Sequence, residues 1–123
     1  MSELRWHPLL REWVAVAAAR QNRPQMPANW CPFDPGSGHV PDQYDVFLYP
    51  NDFAAFTLDS APFSPATALF CTTGARGATD VVLYHPNHTL PPSQMTQAHW
   101  RKVIGLWTSR YSEMAAHPDI QYT

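Results

Sequence analysis

The chain has 123 residues, a length that suits one domain or part of one, since domains most often have ~100 to 150 residues. Hydrophobic residues make up 45% of it and charged residues only 15%, which argues against disorder. The net charge is -2 with no run of Lys or Arg, so the composition excludes electrostatic recruitment to nucleic acid or to an anionic membrane. Because the sequence also shows neither an apolar span nor a signal-peptide pattern, we predict a cytoplasmic protein with no membrane partner.

The first half of the chain predicts two strands and a long loop. Trp13–Ala19 is an apolar run of strand length and is predicted as the first strand. Pro27–Asp45 is rich in Pro, Gly and Asp and predicts a long loop, and loops of this length are commonly functional. Val46–Tyr49 predicts a second strand that ends at a Pro-Asn-Asp turn.

The second half predicts a hairpin followed by one helix. Thr67–Thr73 and Asp80–His85 predict two strands joined around residues 74–77. An amphipathic helix is predicted with Ser93 as its N-cap and an end at His117-Pro118. Its apolar stripe comprises Trp100, Val103, Ile104, Trp107, Tyr111 and Met114.

The order of these elements predicts an α+β fold in which one long amphipathic helix covers an antiparallel sheet. Ile120–Thr123 reads as the start of a further strand. A domain that ends inside a strand is unusual, so we expect the chain to be a truncated domain.

Three residues have the chemistry of metal ligands. Cys31 and Asp34 are separated by two residues in a predicted turn, which is the ligand spacing of a zinc knuckle. His88 follows a predicted strand and could add an imidazole nitrogen. A structural cysteine, a turn-forming aspartate and a surface histidine are the alternatives, and the residues alone favour them.

Two arginines and an Asn-Asp pair have the chemistry of nucleotide ligands. Arg20 and Arg23 stand three apart at the end of a predicted strand, where two guanidinium groups could hold a diphosphate. Solvated charge is the equally weighted alternative. Asn51 and Asp52 could hydrogen-bond a ribose or a base, although both residue types are also common in turns.

The six histidines offer no recognisable nucleophile. None lies in a His-x-His cluster, and the chain has neither a Gly-rich phosphate loop nor a Gly-x-Ser-x-Gly elbow. Three of the histidines precede a proline: His7, His85 and His117. The residues by themselves therefore identify no catalytic group.

Taken together, several segments resemble those of galactose-1-phosphate uridylyltransferases. In chain order they are Arg5–Leu9 with Glu12–Val14, Arg20–Pro24, Cys31–Gly36, Tyr49–Phe53 and Val81–His88. Their order and spacing also match, and the resemblance covers residues 4–122 as the first portion of a longer polypeptide. It implies an incomplete half of the α+β architecture of the histidine-triad superfamily.

The resemblance implies transfer of UMP from UDP-glucose to galactose 1-phosphate, through a uridylyl-histidine intermediate, in a protein that is a homodimer at full length. It implies that Arg20 and Arg23 contact the phosphates of the nucleotide sugar. Asn51 and Asp52 match the pair that holds the uridine portion, and Val40 falls at a position that lines the same site.

The resemblance also implies a structural zinc, with Cys31 and His88 matching two of its ligands. Asp34 stands where many members have a second cysteine, and a carboxylate is a harder zinc ligand than a thiolate. The family's His-Pro-His motif, which contains the nucleophile and the last zinc ligand, would lie beyond Thr123. No catalytic residue is therefore assigned, and we expect the chain alone to be inactive.

Two alternatives to the uridylyltransferase function stay open. The chain could be a non-catalytic remnant that binds nucleotide or zinc. It could also belong to a related nucleotide-sugar phosphorylase or dinucleotide hydrolase of the same superfamily.

Overall fold

A computed structural model describes residues 2–62 and 65–123. Within them lie five strands and one α-helix: β1 Ser2–His7, β2 Glu12–Ala17, β3 Phe47–Pro50, β4 Thr72–Gly74, β5 Asp80–Leu83 and α1 Gln97–Ala116. Two short 3-10 helices span Ala18–Asn22 and Pro92–Gln94. The antiparallel strands and the single long helix confirm the predicted α+β class.

The chain divides into two compact units. The first unit comprises the described residues within 2–23, 51–79 and 117–122. The second unit comprises residues 24–50, residues 80–116 and Thr123. The first contains β1, β2 and β4, and the second contains β3, β5 and α1.

β1 is the central strand of the first unit, antiparallel to β2 on one side and to β4 on the other. The hairpin between β1 and β2 closes with Arg11 in the left-handed region at φ 56°, where its N–H donates to the His7 carbonyl at 2.8 Å. The predicted first strand is thus the second strand, and it ends at Ala17 where the 3-10 turn begins. The prediction missed β1 because Glu3 and Arg5 break its apolar pattern, although Glu3 is fully buried and paired with Arg5.

β4 does not form the predicted hairpin with β5. It pairs with β1, whereas β5 pairs with β3 in the other unit. The prediction was wrong because it assumed that consecutive strands pair, while the segment after Gly74 is held by other partners in the first unit. There the Ala75 N–H donates to the Ser2 carbonyl at 3.3 Å, and the Ala75 carbonyl accepts from the Thr57 N–H at 3.2 Å.

In the second unit, β3 and β5 form a two-stranded antiparallel ribbon in which Tyr49 lies opposite Val81. The predicted strand Val46–Tyr49 is confirmed with a shift of one residue. Residues 24–46 form neither helix nor strand, as predicted for Pro27–Asp45. Tyr49 is buried and meets the Phe33 ring edge-on at 5.3 Å between centroids, so an aromatic contact packs the loop onto β3.

α1 begins later than predicted and ends where predicted. The Thr96 hydroxyl oxygen accepts the His99 N–H at 3.2 Å and so caps the helix, whereas Ser93 lies in the preceding 3-10 turn. The helix ends at Ala116, just before His117-Pro118. No helix in the described part of the chain is sufficiently long and apolar to cross a bilayer.

The apolar stripe of α1 is packed on one edge only. Val103 is fully buried, but Ile104, Trp107 and Tyr111 each expose about half of their surface, at 53%, 48% and 58%. Arg110 lies on the packed side, where it donates to Asp80 of β5 at 2.8 Å and to Glu113 at 2.9 Å, and both carboxylates raise its pKa. The expected strand at Ile120–Thr123 is absent, because a turn closed by the His117 carbonyl occupies its start.

We expect Gly74→Ala to destabilise the protein. An added Cβ would overlap the carbonyl oxygen of Ser60, and relief of such overpacking typically costs roughly 1 to 3 kcal/mol of unfolding free energy. Gly105→Ala is the control, because its new methyl group meets nothing within 4 Å and should stabilise α1 by about 0.5 to 1 kcal/mol. Urea denaturation of both variants measures the difference, and equal midpoints would contradict the tight approach at Gly74.

We also expect Lys102→Met to raise the pKa of Asp45. The hydrogen bond and the charge of Lys102 hold that pKa below its ordinary value of 3.8, with smaller contributions from His99 and His85. Because the pKa of Asp45 is lower in the folded state than in the unfolded state, its pairing with Lys102 stabilises the protein at a pH above the unfolded-state pKa. This stabilisation is lost as the pH falls through the folded-state pKa. Carboxyl ¹³C NMR measures the shift, Lys102→Arg is the charge-conserving control, and identical titration in wild type and Lys102→Met would refute the pairing.

Candidate functional site

Cys31 and Asp34 stand in a tight turn at the start of the long loop. The Asp34 N–H donates to the Cys31 carbonyl at 3.1 Å, and the Ser37 N–H donates to the Asp34 carbonyl at 3.0 Å. The Ser37 hydroxyl closes the turn from the other side by donating to the Pro32 carbonyl at 2.6 Å. These hydrogen bonds turn the chain so that the Cys31 thiol and the Asp34 carboxylate lie on the same side of the turn.

His88, which lies in the turn after β5, meets this pair. The ligand atoms of Cys31, Asp34 and His88 all lie within 4.8 Å of one another, and His88 Nδ1 contacts Asp34 Oδ1. Around a tetrahedral zinc with bonds of about 2.0 to 2.3 Å, the donors stand roughly 3.3 to 3.8 Å apart. A thiolate, a carboxylate and an imidazole at this spacing therefore fit a zinc ion with only small adjustments.

Tyr44 and a cavity lie beside this cluster. Burial raises the pKa of Tyr44, and the negative charges of Asp34 and Cys31 raise it further. Tyr44 therefore stays protonated and donates from its hydroxyl to the Phe33 carbonyl at 2.9 Å. A cavity of about 380 Å³ opens beside the donors and is lined in part by Cys31, Tyr44 and His88.

Arg20 and the Asn51-Asp52 pair lie together in the first unit. Arg20 is in the 3-10 helix after β2, and its Nη1 donates to the Phe53 carbonyl at 2.7 Å. The N–H of the same Phe53 donates to Asn51 Oδ1 at 3.0 Å, which makes residues 51–53 an Asx turn. The peptide groups of Phe53 thus connect the Arg20 guanidinium to the Asn-Asp turn.

The remaining predicted residues are placed as follows. Arg23 is the C-cap of the 3-10 helix, where its N–H donates to the Arg20 carbonyl at 3.2 Å. The Arg23 side chain is exposed. Asp52 is exposed at the tip of the Asx turn. Val40 lies in the second unit, where it is buried at 7% exposure, and its assignment to the nucleotide site stays a prediction.

Sequence reasoning missed Phe53 and Tyr44, each of which supports a candidate site residue. Phe53 acts through its backbone, which no side-chain pattern reveals. Tyr44 is the only aromatic residue in the turn-rich tract Pro41–Asp45. An aromatic residue alone in such a tract was the sequence feature that could have identified it.

The family described as galactose-1-phosphate uridyl transferase, N-terminal domain, matches residues 31–123. The chain belongs to this family. The match includes the Cys31, Asp34 and His88 cluster and the Asn51 turn. It begins after Arg20 and Arg23, so the assignment of the two arginines to a nucleotide site stays a prediction.

Two relatives named galactose-1-phosphate uridylyltransferase match nearly the whole chain. The one from Thermotoga maritima is 31% identical over 124 residues, which cover 99% of this chain and 39% of the relative. The one from Rattus norvegicus is 33% identical over 140 residues, which cover 96% of this chain and 36% of the relative. The chain thus spans well under half the length of either relative.

Solved structures of uridylyltransferases also share this fold. A mutant uridylyltransferase superposes with a TM-score of 0.77 at 26% identity, covering 94% of this chain and 35% of its own. A second uridylyltransferase structure gives a TM-score of 0.71 at 26% identity, covering 93% of this chain and 36% of its own. The predicted family membership and fold class are therefore both confirmed.

Proposed function

We propose that this chain supplies part of the nucleotide-sugar site of a UDP-glucose:hexose-1-phosphate uridylyltransferase of galactose metabolism. The observation that carries the proposal is the Arg20 bond to the Phe53 carbonyl, which holds a guanidinium beside the Asn51-Asp52 turn. Membership of the uridylyl transferase family supports UDP-glucose as donor and galactose 1-phosphate as acceptor.

The two arginine side chains have the charge and the hydrogen-bond donors to bind the diphosphate of a nucleotide sugar. A guanidinium carries five N–H donors, so Arg20 keeps donors for a phosphate while Nη1 remains on the Phe53 carbonyl. Arg23 is exposed three residues further on and can approach the same anion. Fixing Arg20 before the ligand arrives reduces the side-chain entropy lost on binding.

The Asn51-Asp52 turn suits the uridine portion. Because Asn51 Oδ1 already accepts from the Phe53 N–H, its amide NH₂ group is oriented and can donate to a uracil or ribose oxygen. An ionised Asp52 is an acceptor for ribose hydroxyl groups. The turn therefore presents a donor and an acceptor to a ligand with both kinds of partner.

Within this proposal the chain contributes binding groups and no nucleophile. UMP transfer through a uridylyl-histidine and assembly as a homodimer follow from the family resemblance and are proposed on that ground. A cytoplasmic location stays the prediction made from the sequence. A protein of the length of the Thermotoga maritima relative would supply the histidine, and the 123-residue chain alone is expected to be inactive.

The Cys31, Asp34 and His88 cluster is proposed to hold a structural zinc. The metal would tie the long loop before β3 to the turn after β5, since those segments supply the donors. Thiolate and imidazole favour zinc over hard cations such as magnesium, and Asp34 completes three protein ligands.

We predict that Arg23→Ala weakens UDP-glucose binding to the chain. Loss of a charged hydrogen-bond donor to the diphosphate should cost roughly 1 to 3 kcal/mol, which isothermal titration calorimetry resolves. Arg101→Ala is the control, because it removes the same charge from an exposed position on α1.

Unchanged affinity in Arg23→Ala would assign Arg23 to solvated charge. A folded chain that binds no UDP-glucose would contradict the nucleotide-sugar site itself. Preference for a dinucleoside polyphosphate over UDP-glucose would instead favour the dinucleotide hydrolase alternative.

We also predict that the chain binds Co²⁺, used in place of zinc, with a near-ultraviolet absorption band from thiolate coordination. Cys31→Ser should abolish that band, and His88→Ala should weaken cobalt affinity. Cys71→Ser is the matched control, since Cys71 is the other free cysteine and lies in the first unit. A thiolate band that survives in Cys31→Ser would show that the metal is bound elsewhere.

A further inference from the structure

All three His-Pro pairs of the chain form turns in which the imidazole accepts a backbone N–H. His85 Nδ1 accepts from Asn87 at 2.9 Å, and His117 Nδ1 accepts from Asp119 at 3.2 Å. In the hairpin between β1 and β2, His7 Nδ1 accepts from the Leu10 N–H at 3.1 Å. Because proline has no N–H, the first backbone donor after each histidine is two residues on. His85 and His117 bond that donor, as in an Asx turn, whereas His7 bonds the next one.

The His85 turn leads directly to His88. After Asn87 receives its bond from His85, its own Oδ1 accepts from the Thr89 N–H at 3.0 Å and from the Thr89 hydroxyl at 2.7 Å. The Asn87 carbonyl also accepts from the Leu90 N–H at 3.2 Å. His88 is thus the central residue of the second of two consecutive side-chain-capped turns, on a segment with no sheet partner in the described structure.

The His85 ring is itself held in place. Its centroid lies 4.6 Å from that of the His99 ring, at the start of α1. His99 Nε2–H donates to the Tyr84 carbonyl at 2.6 Å, so His99 is anchored to the residue just before His85. His85 therefore has a packed face on one side and a hydrogen-bonded nitrogen on the other.

We propose that His85 is a positioning residue for the metal ligand His88. Its Nδ1 acceptor holds the Asn87 N–H, and this bond fixes the turn that aims His88 at Cys31 and Asp34. The bond requires the neutral tautomer with hydrogen on Nε2, so His85 is not itself a metal ligand through Nδ1. This inference rests on the proposed zinc site and adds to it the residue that orients one of its ligands.

The test is cobalt affinity, measured by chelator competition, together with the visible ligand-field spectrum. His85→Ala should weaken cobalt binding by roughly 10- to 100-fold, because losing a group that orients a metal ligand typically has an effect of this size. The same variant should alter the spectrum. His85→Asn should restore both, because an asparagine Oδ1 accepts the N–H two residues on, as Asn87 and Asn51 do in this chain. His117→Ala is the matched control, since it deletes the same kind of bond in the first unit.

The outcomes separate this inference from the zinc proposal. Wild-type affinity and spectrum in His85→Ala overturn the positioning role while the zinc site stands. Cobalt binding that is as weak in His85→Asn as in His85→Ala also overturns the positioning role, since an acceptor for the Asn87 N–H would then make no difference. If wild type and Cys31→Ser are equally without a thiolate band, the zinc proposal fails and the positioning role fails with it. Long-range ¹H–¹⁵N NMR of His85 tests the bond without metal, and hydrogen on Nδ1 would contradict it.

Discussion

The antiparallel pairing of β3 with β5 is the constraint on which the cluster of Cys31, Asp34 and His88 depends. In its register Phe47 lies opposite Leu83, so the start of one strand adjoins the end of the other. The loop that enters β3 and the turn that leaves β5 therefore emerge at the same end of the ribbon. That shared end brings the Cys31 and Asp34 turn to His88, although more than fifty residues separate them in the chain.

Side-chain caps replace secondary structure in much of this protein. Thirteen prolines remove backbone donors and interrupt regular elements, so the loop backbones need partners of another kind. The Ser37 and Tyr44 hydroxyl groups, the Asn51 and Asn87 amides and the His85 imidazole provide those partners. Four of these caps stand within three residues of a candidate ligand, and Tyr44 bonds the carbonyl of Phe33, the residue before Asp34. The groups that order the loops therefore also order the proposed sites.

The two proposed sites use the same physical strategy in different units. In the first unit, Arg20 and Asn51 both bond to the backbone of Phe53, which limits their freedom before a nucleotide sugar binds. In the second, the turn around His88 is fixed before a metal binds. Such preorganisation lowers the entropy lost on binding.

Strand runs, proline-rich loops and helical periodicity are local signals. From them the sequence predicted β2, β3, β5, the long loop before β3 and the end of α1. The α+β class and the family resemblance also came from the sequence. The residue types of Cys31, Asp34 and His88 raised a metal site as a hypothesis, although the residues alone favoured structural roles. The structure was needed to show which strands pair and that β1 forms despite its charged residues. It also showed that Thr96 rather than Ser93 caps α1. Pairing and ligand convergence depend on contacts between residues distant in the chain, and periodicity carries no information about such contacts.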